Sequence, residues 1–494
     1  MTSPATPSKN VFLRWALLLL VLFLGAALQY IVFERVMGKR ELKAWKEEMR
    51  SKGEKFTLEE LEIPKIHKEG NGADELLAAM SELNLLRETC PLPGYIPSIR
   101  FIAPAPGRGI SLLDFDNLEK IFSPSSGSDL FRKTSPTWQE LEKEITLGSK
   151  ALKQARKALR RPYLGVELDY KKGFNLLVPQ VGKTRNLAQW LSASAIHYLH
   201  QGNLDKVLED IESIALLSRF LKDDRVLVCQ FERISIGSMG LDATWQALQA
   251  PGWNEAQLQK LQQIWQSTSF IDDLPKTLEM ERIAGASVIE KSRRSNENLR
   301  RWKDYLYVTA WRMLWSDQDE LRFLQIKQKE LDGTRAAIAA KSWSKGQLFF
   351  KQTEILTIPS SAYDRLKHPL TYILSSAPGT DILNCMRYEV QREMTVTAIA
   401  LKRYHLRFKK YPATLQELVP TYLSALPIDY MDGKPLRYYL NSDGSFTLYS
   451  IGEDGVDDHG DPTPKAKISL TPFDSLDIVW PARATKKEIK EYKP

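Results

Sequence analysis

The N-terminal part of the chain carries one long hydrophobic stretch without a charge. Residues 15–33 contain no Asp, Glu, Lys or Arg. A membrane-spanning helix needs about 20 mainly apolar residues, so this stretch is long enough to cross a bilayer. A cleaved signal peptide is the alternative, because Gly25-Ala26-Ala27 offers small residues to a peptidase. The amphipathic segment 42–49 predicts a helix that continues out of the membrane, which favours a retained single-pass anchor.

Helical spacing of apolar residues dominates the centre of the chain. After a tail and anchor over residues 1–35, residues 36–165 combine a juxtamembrane helix with an irregular region rich in Pro and Gly, and Ser135-Pro136 signals a helix start. Residues 166–380 predict a helical body. Its clearest element is a helical hairpin that turns at 201–203 and whose apolar lining includes Leu187, Trp190, Leu191, Leu204, Val207, Leu208 and Ile211.

Residues 381–494 predict a mixed domain. An apolar stripe from Leu383 to Phe408 indicates one long amphipathic helix. Alternating apolar residues over 436–440 and 446–448 predict two strands of a β-hairpin. Because two strands are marginal alone, we expect them to pack on the helix. The predicted fold class is mainly α, with an N-terminal transmembrane helix, a helical body and a C-terminal α+β domain whose long helix packs on a small antiparallel sheet.

Composition and charge exclude several classes of protein. With 69 basic and 61 acidic residues, the net charge of +8 is small against the total and shows no nucleic-acid footprint. Cys90, Cys229 and Cys385 are odd in number and far apart, so a disulfide framework and a CxxC metal knuckle are both excluded.

Motifs of catalytic chemistry are incomplete in this chain. Gly182-Lys183-Thr184 resembles the end of a phosphate-binding loop, but Leu177 stands where that loop requires glycine. His197 and His200 are helical neighbours without an accompanying carboxylate or cysteine, and Ser238 lacks the spacing of a nucleophile elbow. We therefore predict no catalytic residue and no cofactor-binding residue.

The highest local concentration of candidate ligand side chains lies in the segment 449–461, which is rich in Asp and Gly. Its carboxylates, Asp454, Asp457, Asp458 and Asp461, would repel one another in a tight turn unless a cation neutralised them. Oxygen ligands at short, flexible spacing suit Ca²⁺, which takes about 6 to 8 of them. Two alternatives stay open, because Asp-Gly pairs are ordinary turn residues and His459 could serve a transition metal.

The C-terminal domain resembles the major pseudopilins of type II secretion systems. The resemblance rests on the segments 411–418, 426–429, 433–438 and 448–461. In that family a long helix packs on a small antiparallel sheet and a calcium ion holds the closing loop. The resemblance implies that Asp454, Asp457 and Asp458 supply carboxylates to a structural Ca²⁺, with the Ile451 carbonyl and Asp461 as further candidate ligands. The whole chain is similar to membrane-anchored envelope proteins of planctomycete-type and verrucomicrobial bacteria.

These observations predict a membrane-anchored envelope protein that acts as a binding or assembly scaffold, linked to a type II secretion-like system, and not as an enzyme. Its predicted partners are the lipid bilayer, through residues 15–33, and other envelope proteins. Basic residues after the stretch favour a cytoplasmic body by the positive-inside rule, but this rule weakens for large domains, and Ca²⁺ is more available outside the cytosol. We therefore expect an inner-membrane protein with a periplasmic body. The alternative function is an envelope hydrolase with an unrecognised active site in the helical body.

Overall fold

The computed structural model describes residues 9–63, 65–95, 137–294, 302–375, 379–465 and 472–483. The helix-start signal at Ser135-Pro136 and most of the Pro- and Gly-rich region lie outside these ranges. Helix α1 spans Lys9–Ser51, 43 residues, and so carries the hydrophobic stretch directly into the body.

The first group of body helices surrounds one apolar core. Thr137 caps the long helix α4 (Trp138–Leu159), where its hydroxyl and the Glu140 carboxylate form a reciprocal capping box. Leu76, Leu141, Leu187 and Leu217, from four different helices, are completely buried together. The elements of this group are α2 (Ala73–Leu85), α3 (Leu92–Tyr95), α4 (Trp138–Leu159), α5 (Gln180–His200), α6 (Leu204–Phe220) and α7 (Leu227–Leu248).

The predicted hairpin is formed by α5 and α6. Gly202 adopts a φ of 74°, and the Asn203 side chain accepts the N–H of Lys206 to cap α6. Further helices continue along the chain as α8 (Glu255–Gln266), α9 (Leu274–Arg294), α10 (Trp302–Leu314), α11 (Ser316–Ala339), α12 (Trp343–Thr357), α13 (Ala362–Lys367) and α14 (Pro369–Leu374).

The C-terminal half of α1 packs against the body. Leu42 and Met49 are buried in a cluster with Trp311 of α10 and Phe323 of α11. The hydrophobic stretch and the globular part are therefore joined by one continuous helix whose second half is packed.

The C-terminal region contains the predicted long helix and sheet. Helix α15 spans Thr380–Phe408, and the strands are β1 (Arg437–Leu440), β2 (Phe446–Ser450) and β3 (Ile478–Val479). They form an antiparallel sheet in the order β1-β2-β3, in which Tyr438 pairs with Leu448 and Ser450 with Ile478. Leu448 is buried in the same core as Val390 of α15. The predicted fold class, mainly α with a C-terminal helix and small sheet, is confirmed.

Candidate functional site

The aspartate-rich loop leaves the end of β2 above a buried carboxylate. Asp429 is completely buried and accepts hydrogen bonds from the Ser450 hydroxyl at 2.7 Å and the Ile451 N–H at 3.1 Å through its two oxygens. It also accepts the Met431 N–H at 3.0 Å and pairs with Arg437 at 2.8 Å. These four donors satisfy the carboxylate, so it fixes the first residues of the loop.

Two of the predicted ligands have partners inside the protein. The Oδ2 atom of Asp454 lies 2.7 Å from the Lys465 Nζ, and its Oδ1 accepts the Val456 N–H at 3.1 Å. Partial burial opposes ionisation, but these contacts outweigh it and hold the pKa of Asp454 below its ordinary value. Asp461 accepts the Thr463 N–H at 2.8 Å, and hydrogen bonds from Thr463 lower its pKa. Both side chains therefore have local roles in the turn.

The other two carboxylates face a residue that the sequence analysis did not select. Asp477 precedes β3 and is completely buried; its Oδ2 accepts the Gly460 N–H at 2.7 Å, while its Oδ1 has no partner among the described residues. Burial raises the pKa of Asp477, and the negative charges of Asp457 and Asp458 raise it further. The Tyr449 hydroxyl donates to Asp457 Oδ1 at 3.0 Å.

Gly460 lets the loop approach the sheet. Its φ is 79°, a conformation that disfavours other residues, and a Cβ there would lie 3.0 Å from the Thr447 side chain. The close approach delivers the N–H of Gly460 to Asp477, so loop and strand meet at this carboxylate.

The four predicted aspartate ligands fall into two groups: Asp454 and Asp461 bond within the turn, and Asp457 and Asp458 lie nearer Asp477. In the described part of the chain, no group of three or more His, Cys, Asp or Glu side chains is arranged to hold a metal ion. The negative charges of Asp457 and Asp458 raise the pKa of Asp477, while Asp457 also lies 3.9 Å from the Arg437 guanidinium. The His459 side chain is 90% exposed, and its Nδ1 lies 3.9 Å from Asp457 Oδ1. The ligand assignments, Ile451 included, stay predictions.

The second candidate site is the apolar half of α1. Among the described residues, one helix is long and apolar enough to cross a membrane: Leu13–Ser51, whose most apolar window has a mean hydropathy of 2.5 and is not buried at all. The prediction of an N-terminal candidate membrane-spanning helix is confirmed by the length and composition of this helix.

The incomplete catalytic motifs have packing contacts. The Lys183 ammonium donates to the Ser81 hydroxyl at 3.0 Å, and the Ser238 hydroxyl donates to the Ser235 carbonyl at 2.8 Å. The His200 ring stacks on Trp138 with centroids 3.8 Å apart. The Lys183 and His200 contacts each join two helices, and the Ser238 contact lies within α7. None of the three places a nucleophile beside a base.

Comparison of this chain with protein families, with curated proteins and with solved structures finds no significant match. The resemblance to pseudopilins therefore stays a prediction that rests on the residues of the C-terminal domain.

Proposed function

We propose that this protein is a single-pass inner-membrane protein of the bacterial cell envelope that presents a helical scaffold to binding partners. The observation that carries the proposal is the continuity of α1, which is exposed and apolar in its first half and packs one face, with Leu42 and Met49, against the body in its second half. Lys46 pairs with the buried Glu320, and Lys367 lies 3.3 Å from Glu34. An anchor held this firmly would fix the orientation of the body relative to the bilayer.

Membrane insertion is tested by carbonate extraction of the full-length protein. The wild-type chain should stay in the membrane pellet, whereas Leu24→Arg should shift toward the soluble fraction, because a cation at the bilayer centre costs about 2.5 to 3.5 kcal/mol. Leu85→Arg is the matched control, since Leu85 is an exposed leucine of α2 outside the anchor. Release of the wild-type chain by carbonate would contradict the anchor.

The periplasmic orientation of the body has its own test. Cys90, Cys229 and Cys385 are all buried, so a new surface thiol can be labelled selectively. In intact cells with a permeabilised outer membrane, Leu177→Cys should react with a membrane-impermeant maleimide, because Leu177 is exposed. Labelling that requires lysis of the inner membrane would place the body in the cytoplasm.

We further propose that Ca²⁺ stabilises the C-terminal domain through Asp457, Asp458 and Asp477. The support is the buried Oδ1 of Asp477, which has no partner in the described part of the chain and is influenced by two further negative charges. Excess Ca²⁺ should raise the melting temperature of the full chain relative to chelator. At a Ca²⁺ concentration of 100 times Kd, binding would add about 2.7 kcal/mol to the free energy of unfolding. An unchanged melting temperature would leave the loop as a simple turn.

Variants separate loss of a ligand from loss of the fold. Asp477→Asn should abolish the calcium effect yet be at least as stable as wild type in chelator, because it removes a charge that Asp457 and Asp458 repel. Asp457→Asn combined with Asp458→Asn should also abolish the effect. Asp443→Asn, in the exposed turn of the hairpin, should preserve it.

Buried charges join several elements of the structure. Arg156 pairs with the buried Asp210 at 2.6 Å and donates to Ser194 at 3.0 Å, which ties α4 to α5 and α6. Glu389 accepts the Phe270 N–H at 2.9 Å and pairs with Arg392. These groups have structural roles inside the protein. The partners are proposed on a different ground: because the C-terminal domain resembles pseudopilins, we propose partners in a type II secretion-like assembly.

A further inference from the structure

Two neighbouring helices of the body present large apolar and aromatic side chains to solvent. We call them the α10–α13 surface: Tyr305, Leu306 and Met313 on α10, and Tyr363 and Leu366 on α13, each between 48% and 61% exposed. Leu306 and Met313 are two helical turns apart and so share one face, and Tyr363 and Leu366 share a face at i, i+3 spacing.

The opposite sides of these helices are fixed in the protein. Trp311 of α10 is buried, and its indole N–H donates to Asp319 Oδ2 at 3.0 Å. The Tyr307 hydroxyl donates to the Leu366 carbonyl at 3.0 Å, which ties α10 to α13. The outer side chains therefore cannot turn inward without breaking a buried hydrogen bond.

The α10–α13 surface lies where α1 leaves its apolar stretch. The hydroxyls of Tyr30 and Tyr363 are 2.8 Å apart, and Arg35 donates to the Arg312 carbonyl at 2.9 Å. At about 1.5 Å per residue, Tyr30 lies about 4.5 Å inside the end of the stretch at Phe33. A bilayer that covers residues 15–33 would therefore reach the level of Tyr363.

The chemistry of this surface fits a lipid headgroup region. Tyrosine combines an apolar ring with a polar hydroxyl and favours the membrane–water interface. Exposed cations lie beside this surface, with Arg35 and Lys39 on α1 and Arg365 on α13. Basic residues beside apolar ones are typical of helices that lie in the interface of anionic membranes.

We propose that the α10–α13 surface inserts into the headgroup region of the same leaflet from which α1 emerges, as a second membrane contact. This inference rests on the membrane anchoring proposed above and deepens it, because a second contact would prevent the body from tilting on its anchor.

The experiment uses nitroxide labels on the full-length protein in nanodiscs that contain anionic phospholipid. Leu306→Cys and Met313→Cys provide the tested sites, and the buried native cysteines leave them selective. Leu20→Cys reports the apolar stretch, and Leu177→Cys reports an exposed site distant in sequence from the anchor. Accessibility to oxygen, which partitions into lipid, is compared with accessibility to a water-soluble nickel chelate.

Labels at 306 and 313 should have an oxygen-to-nickel ratio several-fold above that at 177 and below that at 20. Ratios at 306 and 313 equal to that at 177, with a lipid-like ratio at 20, would overturn this inference and leave the anchor intact. A water-like ratio at 20 would overturn the anchor as well. Protection from both reagents together with spin–spin broadening would overturn the lipid contact in favour of a contact between two copies of the chain.

Discussion

At the scale of single residues, Glu144 of α4 gives the stability a pH dependence. Its Oε2 accepts the Leu92 N–H at 3.0 Å, and burial raises its pKa from 4.5 to about 7. Between these values the folded chain binds more protons than the unfolded chain, so stability present below pH 4.5 is lost as the pH rises to about 7. After allowance for solvent screening this loss is on the order of 1 kcal/mol.

We expect Glu144→Gln to remove this contribution, because glutamine keeps an acceptor for Leu92 but cannot ionise. The difference in melting temperature between the variant and wild type should grow in favour of the variant from pH 4.5 to 7.5. Glu142→Gln, on the exposed side of the same helix, should follow the wild-type curve. Parallel curves for Glu144→Gln and wild type would contradict the assignment.

Residues of the candidate calcium site differ in how visible they are in the sequence. Asp454, Asp457, Asp458 and Asp461 stand out because they are crowded into one segment. Asp477 lies sixteen residues after the last aspartate of that segment and becomes a neighbour of the loop only when β3 pairs with β2. No local pattern encodes that pairing, so the residue with the clearest electrostatic need for a cation could be found only in three dimensions.

At the scale of elements, Gly285 controls the approach of α9 to α11. A Cβ at this position would overlap the ring of Phe323, which is completely buried. Gly285→Ala should therefore destabilise the protein by about 1 to 3 kcal/mol, the cost of overpacking, and lower its melting temperature in detergent. Gly182→Ala is the control, because a Cβ in that helix meets nothing within 4 Å and should be neutral or stabilising by up to about 1 kcal/mol. Equal melting temperatures for the two variants would refute the close packing.

Elements with strong periodicity were predictable and short elements were not. The apolar stripes of α5, α6 and α15 repeat over several turns, and the structure has helices there. Strand β3 is two residues long, too short to show alternation, and it exists because β2 offers it an edge. Helix α4 begins at Trp138 with Thr137 as its N-cap, and the Ser135-Pro136 signal, which predicted a start two residues earlier, lies outside the described residues.

At the scale of the whole molecule, the sequence separates anchor and body but does not show how they are joined. Apolar residues of α1 beyond the hydrophobic stretch are too sparse to predict their partners. The structure supplies those partners from α9, α10 and α11, which are distant in sequence. The arrangement of anchor and body is therefore set by tertiary contacts, and one of their ionic contacts lies just after α1.

Glu54 is that contact, and its removal should loosen the anchor from the body. The buried Glu54 carboxylate pairs with Arg335 and, at 3.0 Å, with Arg282, whose guanidinium is completely buried and lies 4.6 Å from the Phe56 ring centroid. Glu54→Ala leaves the Arg282 charge without its carboxylate, which costs about 3 to 5 kcal/mol for a buried pair. We expect faster amide hydrogen exchange over residues 39–51 in nanodiscs, because this half of α1 would separate from α11 more often. Glu59→Ala, at an exposed position in the same segment, should leave exchange unchanged. Wild-type exchange in Glu54→Ala would mean that Glu54 does not hold the joint and that the contacts of α1 itself, including Leu42, Met49 and the Lys46–Glu320 pair, are sufficient.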